Sequence, residues 1–138
     1  MAKQSGLGDY IAVDDSGGTL RDISDNVTSI EVANSQNLLE STTISKSAVE
    51  RLIGLGDLVF TISGVMDKAS NKIHDVFKVK SGTRTVTYAI GGNTSGNPVL
   101  TAECLVGEYN ISRGTDGTQI VNTTLSLQSG TVPTWGTV

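Results

Sequence analysis

The sequence predicts a mainly β protein, an antiparallel β-sandwich or open barrel with one flanking α-helix at about residues 71–79. Three observations carry this. Thr, Ser, Gly, Val and Ile dominate the 138 residues, while Ala, Lys and Glu, which favour long helices, are modest. Several segments alternate apolar and polar residues with the period of two that a half-buried strand requires. Short clusters rich in Gly, Asn, Asp and Ser separate those segments, which is the spacing of antiparallel neighbours.

Taken in order, Tyr10–Val13 reads as a short strand and Asp14–Gly18 as the turn of a hairpin that returns over Thr19–Ile23. Val27–Val32 alternates as a further strand, with Val27, Ser29 and Glu31 on one face and Thr28, Ile30 and Val32 on the other. From about residue 33 to 45 the pattern dissolves into Asn, Ser, Gln and Thr, with Leu38, Leu39 and Ile44 as the large apolar residues. This predicts a long polar arm, since loops of that length are usually functional or disordered. Ser45 or Ser47 is placed to cap a short helix over 48–53, stopped by Gly54 and Gly56. Asp57–Met66 is the clearest strand, with Leu58, Phe60 and Ile62 on one face and Val59, Thr61 and Ser63 on the other. Ser70 is then expected to cap a helix on which Ile73, Val76 and Phe77 share a face.

Thr83–Ile90 places Val86, Tyr88 and Ile90 opposite Thr83, Thr85, Thr87 and Ala89. The long strand Val99–Arg113 changes phase midway: Leu100, Ala102, Cys104 and Val106 share one parity, Tyr109 and Ile111 the other. Gly107 at the change predicts a β-bulge. Thr118–Gln128 sets Val121, Leu125 and Leu127 against Asn122, Thr124 and Ser126, and a tail at about 129–138 carries Pro133 and Trp135. The whole chain is expected to form a single domain, because its length supports one core.

The formal charge is −4, with basic residues scattered rather than gathered in a stripe, which argues against a chain that grips a phosphate backbone. One cysteine and one histidine exclude an intrachain disulfide and a Cys/His zinc site. The absence of a secretory pattern at Met1–Gly6 and of any apolar run of about 18 residues leads to the expectation of cytoplasmic folding and no membrane association. His74 reads as a solvated helix position and Cys104 as a small core filler. Gly-Leu-Gly-Asp occurs at 6–9 and 54–57, each read as a strand-entry turn, because a phosphate loop follows a strand and opens a helix. The acidic pairs Asp14/Asp15 and Asp22/Asp25 lack a complete calcium-loop spacing. No nucleophile and base pair stands out, so no catalytic residue, metal or cofactor is assigned and an enzyme is not expected. The informative feature is a hydroxyl- and amide-rich strand face: Thr61, Ser63, Thr83, Thr85, Thr87, Asn110, Ser112, Asn122, Thr124 and Ser126.

Several local strings, in this order along almost the whole chain, resemble the tail tube (major tail) proteins of long-tailed, siphovirus-like bacteriophages. They are Met1–Gly8, Arg21–Ser24, Lys46–Leu52, His74–Phe77 and Gly130–Trp135. The resemblance implies a tail-tube-like domain that assembles into stacked, typically hexameric rings, giving a conduit for DNA delivery in the virion after assembly in the host cytoplasm. It implies that Gln36, Asn37, Leu38, Leu39, Glu40 and Ile44 form an inter-subunit arm, and that Thr83, Thr85, Thr87, Asn122, Thr124 and Ser126 line the lumen. The implied partners are further copies of the chain, tape measure and tail terminator or tip proteins, and DNA in transient, non-specific passage. A head-decoration or other virion protein is the first alternative. A carbohydrate-binding or adhesion module is the second, weakened because Tyr10, Tyr88, Tyr109 and Trp135 form no evident platform.

Overall fold

The protein was analysed as a computed structural model that describes residues 8–128, 130 and 133–138. The elements are β1 (Tyr10–Asp14), β2 (Leu20–Asp22), β3 (Val27–Glu40), β4 (Arg51–Val65), α1 (Ile73–Phe77), β5 (Arg84–Ala89), β6 (Pro98–Arg113), β7 (Gln119–Leu127) and β8 (Gly136–Thr137). They form one antiparallel sheet in the order β2-β1-β5-β6-β7-β4-β3, with β8 added to the start of β6. The fold is therefore mainly β, as its composition predicts.

Connectivity forces this sheet to curl. Its two ends, β2 and β3, are joined only by residues 23–26, which span at most about 14 Å when extended. Laid flat, the six strand steps between them would cover about 29 Å at ~4.8 Å each. The ends are drawn into a seam, where the Ser24 hydroxyl accepts from the Ile11 amide (3.0 Å) and lies 3.2 Å from the Ile11 carbonyl. Alternating residues point into the resulting open barrel: Ile11, Val13, Leu58, Phe60, Ile62, Val86, Leu100, Cys104, Val121 and Leu125 are all buried, and Ile73, Val76 and Phe77 of α1 pack among them. Burial pushes the Cys104 thiol up to about 11, the behaviour of a core filler. The phase change in β6 is a bulge as expected, with the β7 register shifting between Val106 and Glu108.

Four sequence expectations give way. Residues 51–53 belong to β4 instead of a helix over 48–53, because so short a helix is unstable alone while the ladder to β3 continues to Glu40↔Arg51. The polar arm is correspondingly half strand: β3 runs unbroken to Glu40 through residues with little strand preference, since cross-strand pairing outweighs propensity. Gly54–Asp57 lies inside β4, so it is no entry turn. Finally, α1 spans only Ile73–Phe77 and Ser70 does not cap it. Asn26 does so from across the seam: its side-chain oxygen accepts from the Ile73 amide (3.3 Å) and its amide nitrogen donates to Asp67 (3.0 Å).

Arg84 is the least expected core residue. It is fully buried at an inward position of β5, and among the described residues no carboxylate forms an ion pair with it. Its guanidinium donates to the carbonyls of Asp14 (3.0 Å), Val76 (2.6 Å), Val79 and Ser81 (3.3 Å). The last three lie in and just beyond the end of α1, whose unpaired carbonyls attract a cation. Arg84 thus ties the helix to β1 and β5.

Gly64 marks a close backbone approach. A Cβ there would stand 2.5 Å from the Asn26 carbonyl oxygen and 3.2 Å from Ile73 Cδ1, and that carbonyl accepts from the Val65 amide (2.8 Å). Gly64→Ala is expected to cost about 2–4 kcal/mol by urea denaturation, because backbone and helix would both have to move.

Candidate assembly surface

Beyond Cys104, β6 has left its β5 partner and pairs only with β7. Strands β6, β7, β4 and β3 make a four-stranded unit whose two margins, β6 from Leu105 to Arg113 and the outer edge of β3, are unpaired among the described residues. The face turned away from the core is read from the register. One row across it is Glu31, Thr61, Thr124, Glu108, and the next is Ser29, Ser63, Asn122, Asn110. Ala33, Val59, Ser126 and Leu105 form a third. Thr124 Oγ1 donates to Glu108 Oε1 at 3.3 Å. Among the described residues, the outward positions of these strands hold Glu31, Asp57, Glu103 and Glu108 and no lysine or arginine.

Of the expected lumen residues, Asn122, Thr124 and Ser126 lie together at the centre of this face. Thr85 and Thr87 share its parity through Glu103 and Thr101 but are displaced along β6. From the level of Glu103 to that of Asn110 is about 20 Å at ~3.3 Å per residue. Thr85 Oγ1 donates to Glu103 Oε1 (2.6 Å). Thr83 precedes β5 and lies off the ladder. The carboxylates of Glu31 and Glu108 were missed as members of the face.

The arm residues Gln36, Asn37, Leu38, Leu39 and Glu40 form the outer half of β3, while Ile44 sits in the turn at the tip. Together with 51–57 of β4 they make a two-stranded ribbon that extends past the last β7 partner, Val59↔Ser126. The tip is closed by Ser41 N to Glu50 O (2.9 Å), Glu50 N to Thr42 Oγ1 (2.8 Å) and a Lys46–Glu50 ion pair (3.0 Å). The register shift between Gln36 and Leu38 lies opposite Gly54, where a Cβ would come within 2.9 Å of the Asn37 carbonyl. At the base of the ribbon, Asn34–Gln36, Gly54–Gly56 and Gly130 line a cleft of about 390 Å³.

Elsewhere the polar groups serve the fold. His74 is half-buried with Nδ1 3.0 Å from the Tyr109 hydroxyl, so it is packed rather than solvated. Asp9 accepts from the Tyr88 hydroxyl and the Gly91 amide, both at 2.7 Å, and burial with this bond pushes the Tyr88 phenol up to about 12. Asp15 accepts from the Gly17 and Thr19 amides and from Arg21, which hold its carboxyl below the usual range. Among the described residues no group of three or more His, Cys, Asp or Glu side chains is arranged to hold a metal, and no helix is long and apolar enough to cross a membrane.

No protein-family model and no curated protein sequence matches the chain. Solved structures do. The chain superposes on a protein of the tail of an empty gene transfer agent (GTA) particle, reconstructed by helical refinement with C6 symmetry, with a TM-score of 0.73 and 10% identity over 99% of both chains. A chain of the native GTA virion gives a TM-score of 0.71 at 11% identity, again over 99% of each. A chain of the anti-feeding prophage baseplate, 6-fold symmetrised, gives 0.63 at 10% identity over 100% of this chain and 97% of that one. With about one residue in ten identical, what these tail and baseplate chains share with the present one is the fold, over its full length.

Proposed function

We propose that this chain is a virion tail structural protein that assembles with copies of itself into stacked six-subunit rings forming a tail tube through which DNA passes. The observation that carries the reading is the pair of unpaired strand edges bounding one acidic, polar face. Three strand steps separate β3 from β6, so the two edges run in opposite directions. Under rotational symmetry, β6 of one copy meets β3 of the next antiparallel, and ring closure pairs both of these edges. Four strands from each of six copies would close a barrel about 45–52 Å across, at ~4.8 Å per strand with the usual tilt of about 35–45°. The fold likeness to a C6-symmetric tail supports this arrangement.

In such a ring the face bearing Asn122, Thr124, Ser126, Glu31 and Glu108 turns toward the lumen. Its hydroxyls, amides and carboxylates offer no cation to phosphate, so duplex DNA moves past without being held. The face does not suit catalysis, and we assign the chain no enzymatic activity. Tape measure protein inside the lumen and terminator or tip proteins at the tube ends complete the proposed set of partners.

Negative-stain electron microscopy of concentrated protein tests the reading, with hollow tubes or stacked rings as the expected result. Discrete trimers would overturn it in favour of a head-decoration protein. The lumen assignment has its own test. The double variant Glu31→Lys, Glu108→Lys is expected to form tubes that retain duplex DNA at 50 mM salt and lose at least about tenfold of that affinity by 200 mM, as several new phosphate contacts would dictate. Wild-type tubes should retain none in a co-sedimentation assay.

A further inference from the structure

The seam between β1 and β3 encloses a cavity of about 280 Å³, lined by Asp9, Ile11, Ser24, Tyr88 and residues 27–30 of β3 among others. Asp9 is half-buried there, and among the described residues no basic side chain pairs with it. The Tyr88 hydroxyl donates to one of its oxygens and the Gly91 amide to the other, so each oxygen keeps a free acceptor site. A carboxylate drawn part-way out of water calls for a cation. Arg113 is the counterpart at the opposite margin. It ends β6 on the core-facing side, paired with Gln119, where β5 no longer runs alongside. It is exposed and makes no ion pair among the described residues. Ile111, on the same side, is 48% exposed for the same reason.

Barrel closure decides where these residues meet. Strands tilted by about 35–45° return to themselves only with a fixed stagger of the register. Four strands per copy cover about 19 Å, so each copy is staggered against the next by about 13–19 Å, or four to six residues at ~3.3 Å each. Only an even shift keeps core-facing residues beside core-facing ones. Without a shift, the row through Glu31 and Glu108 would set those two carboxylates directly opposite each other at the junction. A four-residue shift toward the end of β3 keeps the whole β6 margin within the length of β3 and faces Glu31 with Ser112 and Glu108 with Ser35. It also sets Arg113 beside Ile30, which lines the cavity. The opposite shift would carry Arg113 past Val27, where β3 begins.

We infer that Arg113 of one copy enters the seam cavity of the next and pairs with Asp9, on the side of the sheet away from the lumen. This rests on the tube reading above, in which β6 of one copy lies beside β3 of its neighbour. A guanidinium suits the cavity because its planar fork can bond both carboxylate oxygens at once. The pair also selects the register, since a slip of two residues moves Arg113 by about 7 Å relative to Ile30.

The lowest concentration at which the full chain assembles, read by sedimentation, tests the pair. Arg113→Gln and Asp9→Asn are each expected to raise it at least about tenfold, and the double variant no further than either alone, because the two charges act together. Losses that multiply in the double variant, or an Arg113→Gln protein that assembles like wild type, would overturn the inference and leave the tube reading standing. A second measurement does not depend on Asp9→Asn folding normally. A photo-crosslinking amino acid at position 113, carried by a minor fraction of copies among wild type, is expected to capture peptides 8–11 or 24–30 of a neighbour. Capture of other peptides, or none, in tubes that form would also overturn it. Wild-type protein that forms neither rings nor tubes overturns both readings.

Discussion

Joining Gln36 to Gly56 through a two-residue Asn-Gly turn is expected to abolish tube formation while leaving a folded, soluble monomer. Gln36 and Gly56 are cross-strand partners, so the substitute turn has the length and chemistry of a tight hairpin. The excised residues 37–55 contribute nothing to the buried core, whose nearest members begin at Leu58. Thermal unfolding should therefore shift little, and monomer solubility should rise as exposed Leu38, Leu39, Leu52 and Ile53 are removed. Sedimentation and electron microscopy at concentrations where wild type polymerises would check the loss. Tubes of wild-type length from the shortened chain would show that the arm is dispensable.

Arg84→Met carries the largest expected loss of stability, about 3–5 kcal/mol by urea denaturation. Methionine fills much of the volume but donates nothing, leaving the carbonyls of Asp14, Val76, Val79 and Ser81 without the guanidinium they share. The five-residue α1 depends on this tie, being far too short to persist by itself. Its detachment would uncover Ile73, Val76 and Phe77 together. Arg84→Lys should recover only part of the loss, because one ammonium with three donors cannot span four carbonyls from β1, α1 and the turn beyond it.

These two sites differ in how legible they were. Strands with strict alternation, such as 57–66 and 118–128, announced both their existence and their inward residues, and Gly107 announced the bulge through the parity change around it. The arm failed differently: 38–40 and 51–53 are strand because each pairs with the other, a relation that neither segment's own period encodes. Arg84 stayed hidden because alternation places it beside Val86 and Tyr88, yet a basic residue next to the turn at Ser81–Gly82 reads as solvent-facing. Only the unpaired carbonyls at the end of α1, visible in three dimensions, explain its burial. Asn26 was similarly obscure, since its capping partner Ile73 lies on the far side of the β3–β4 ribbon in the chain. Among the surface residues, Glu31 was already in phase with Ser29, and Glu108 follows from the bulge. The row they form was missed because it becomes a row only once β3, β4, β7 and β6 are placed in order.

That strand order also governs how the chain reaches its native state. Ile11 pairs with Tyr88 and Phe60 with Leu125, so the β1–β5 and β4–β7 ladders that complete the sheet close across long stretches of chain. All-β folds that depend on such distant pairings acquire structure in milliseconds to seconds. During synthesis at about 5–20 residues per second, β5 emerges seconds after β1. Through that interval the β1–β2 and β3–β4 hairpins are the pairings available, and the second carries its apolar ribbon uncovered. The same segment that suits contact between finished copies is thus present on the nascent chain before the barrel closes, which makes that interval the one most vulnerable to premature association.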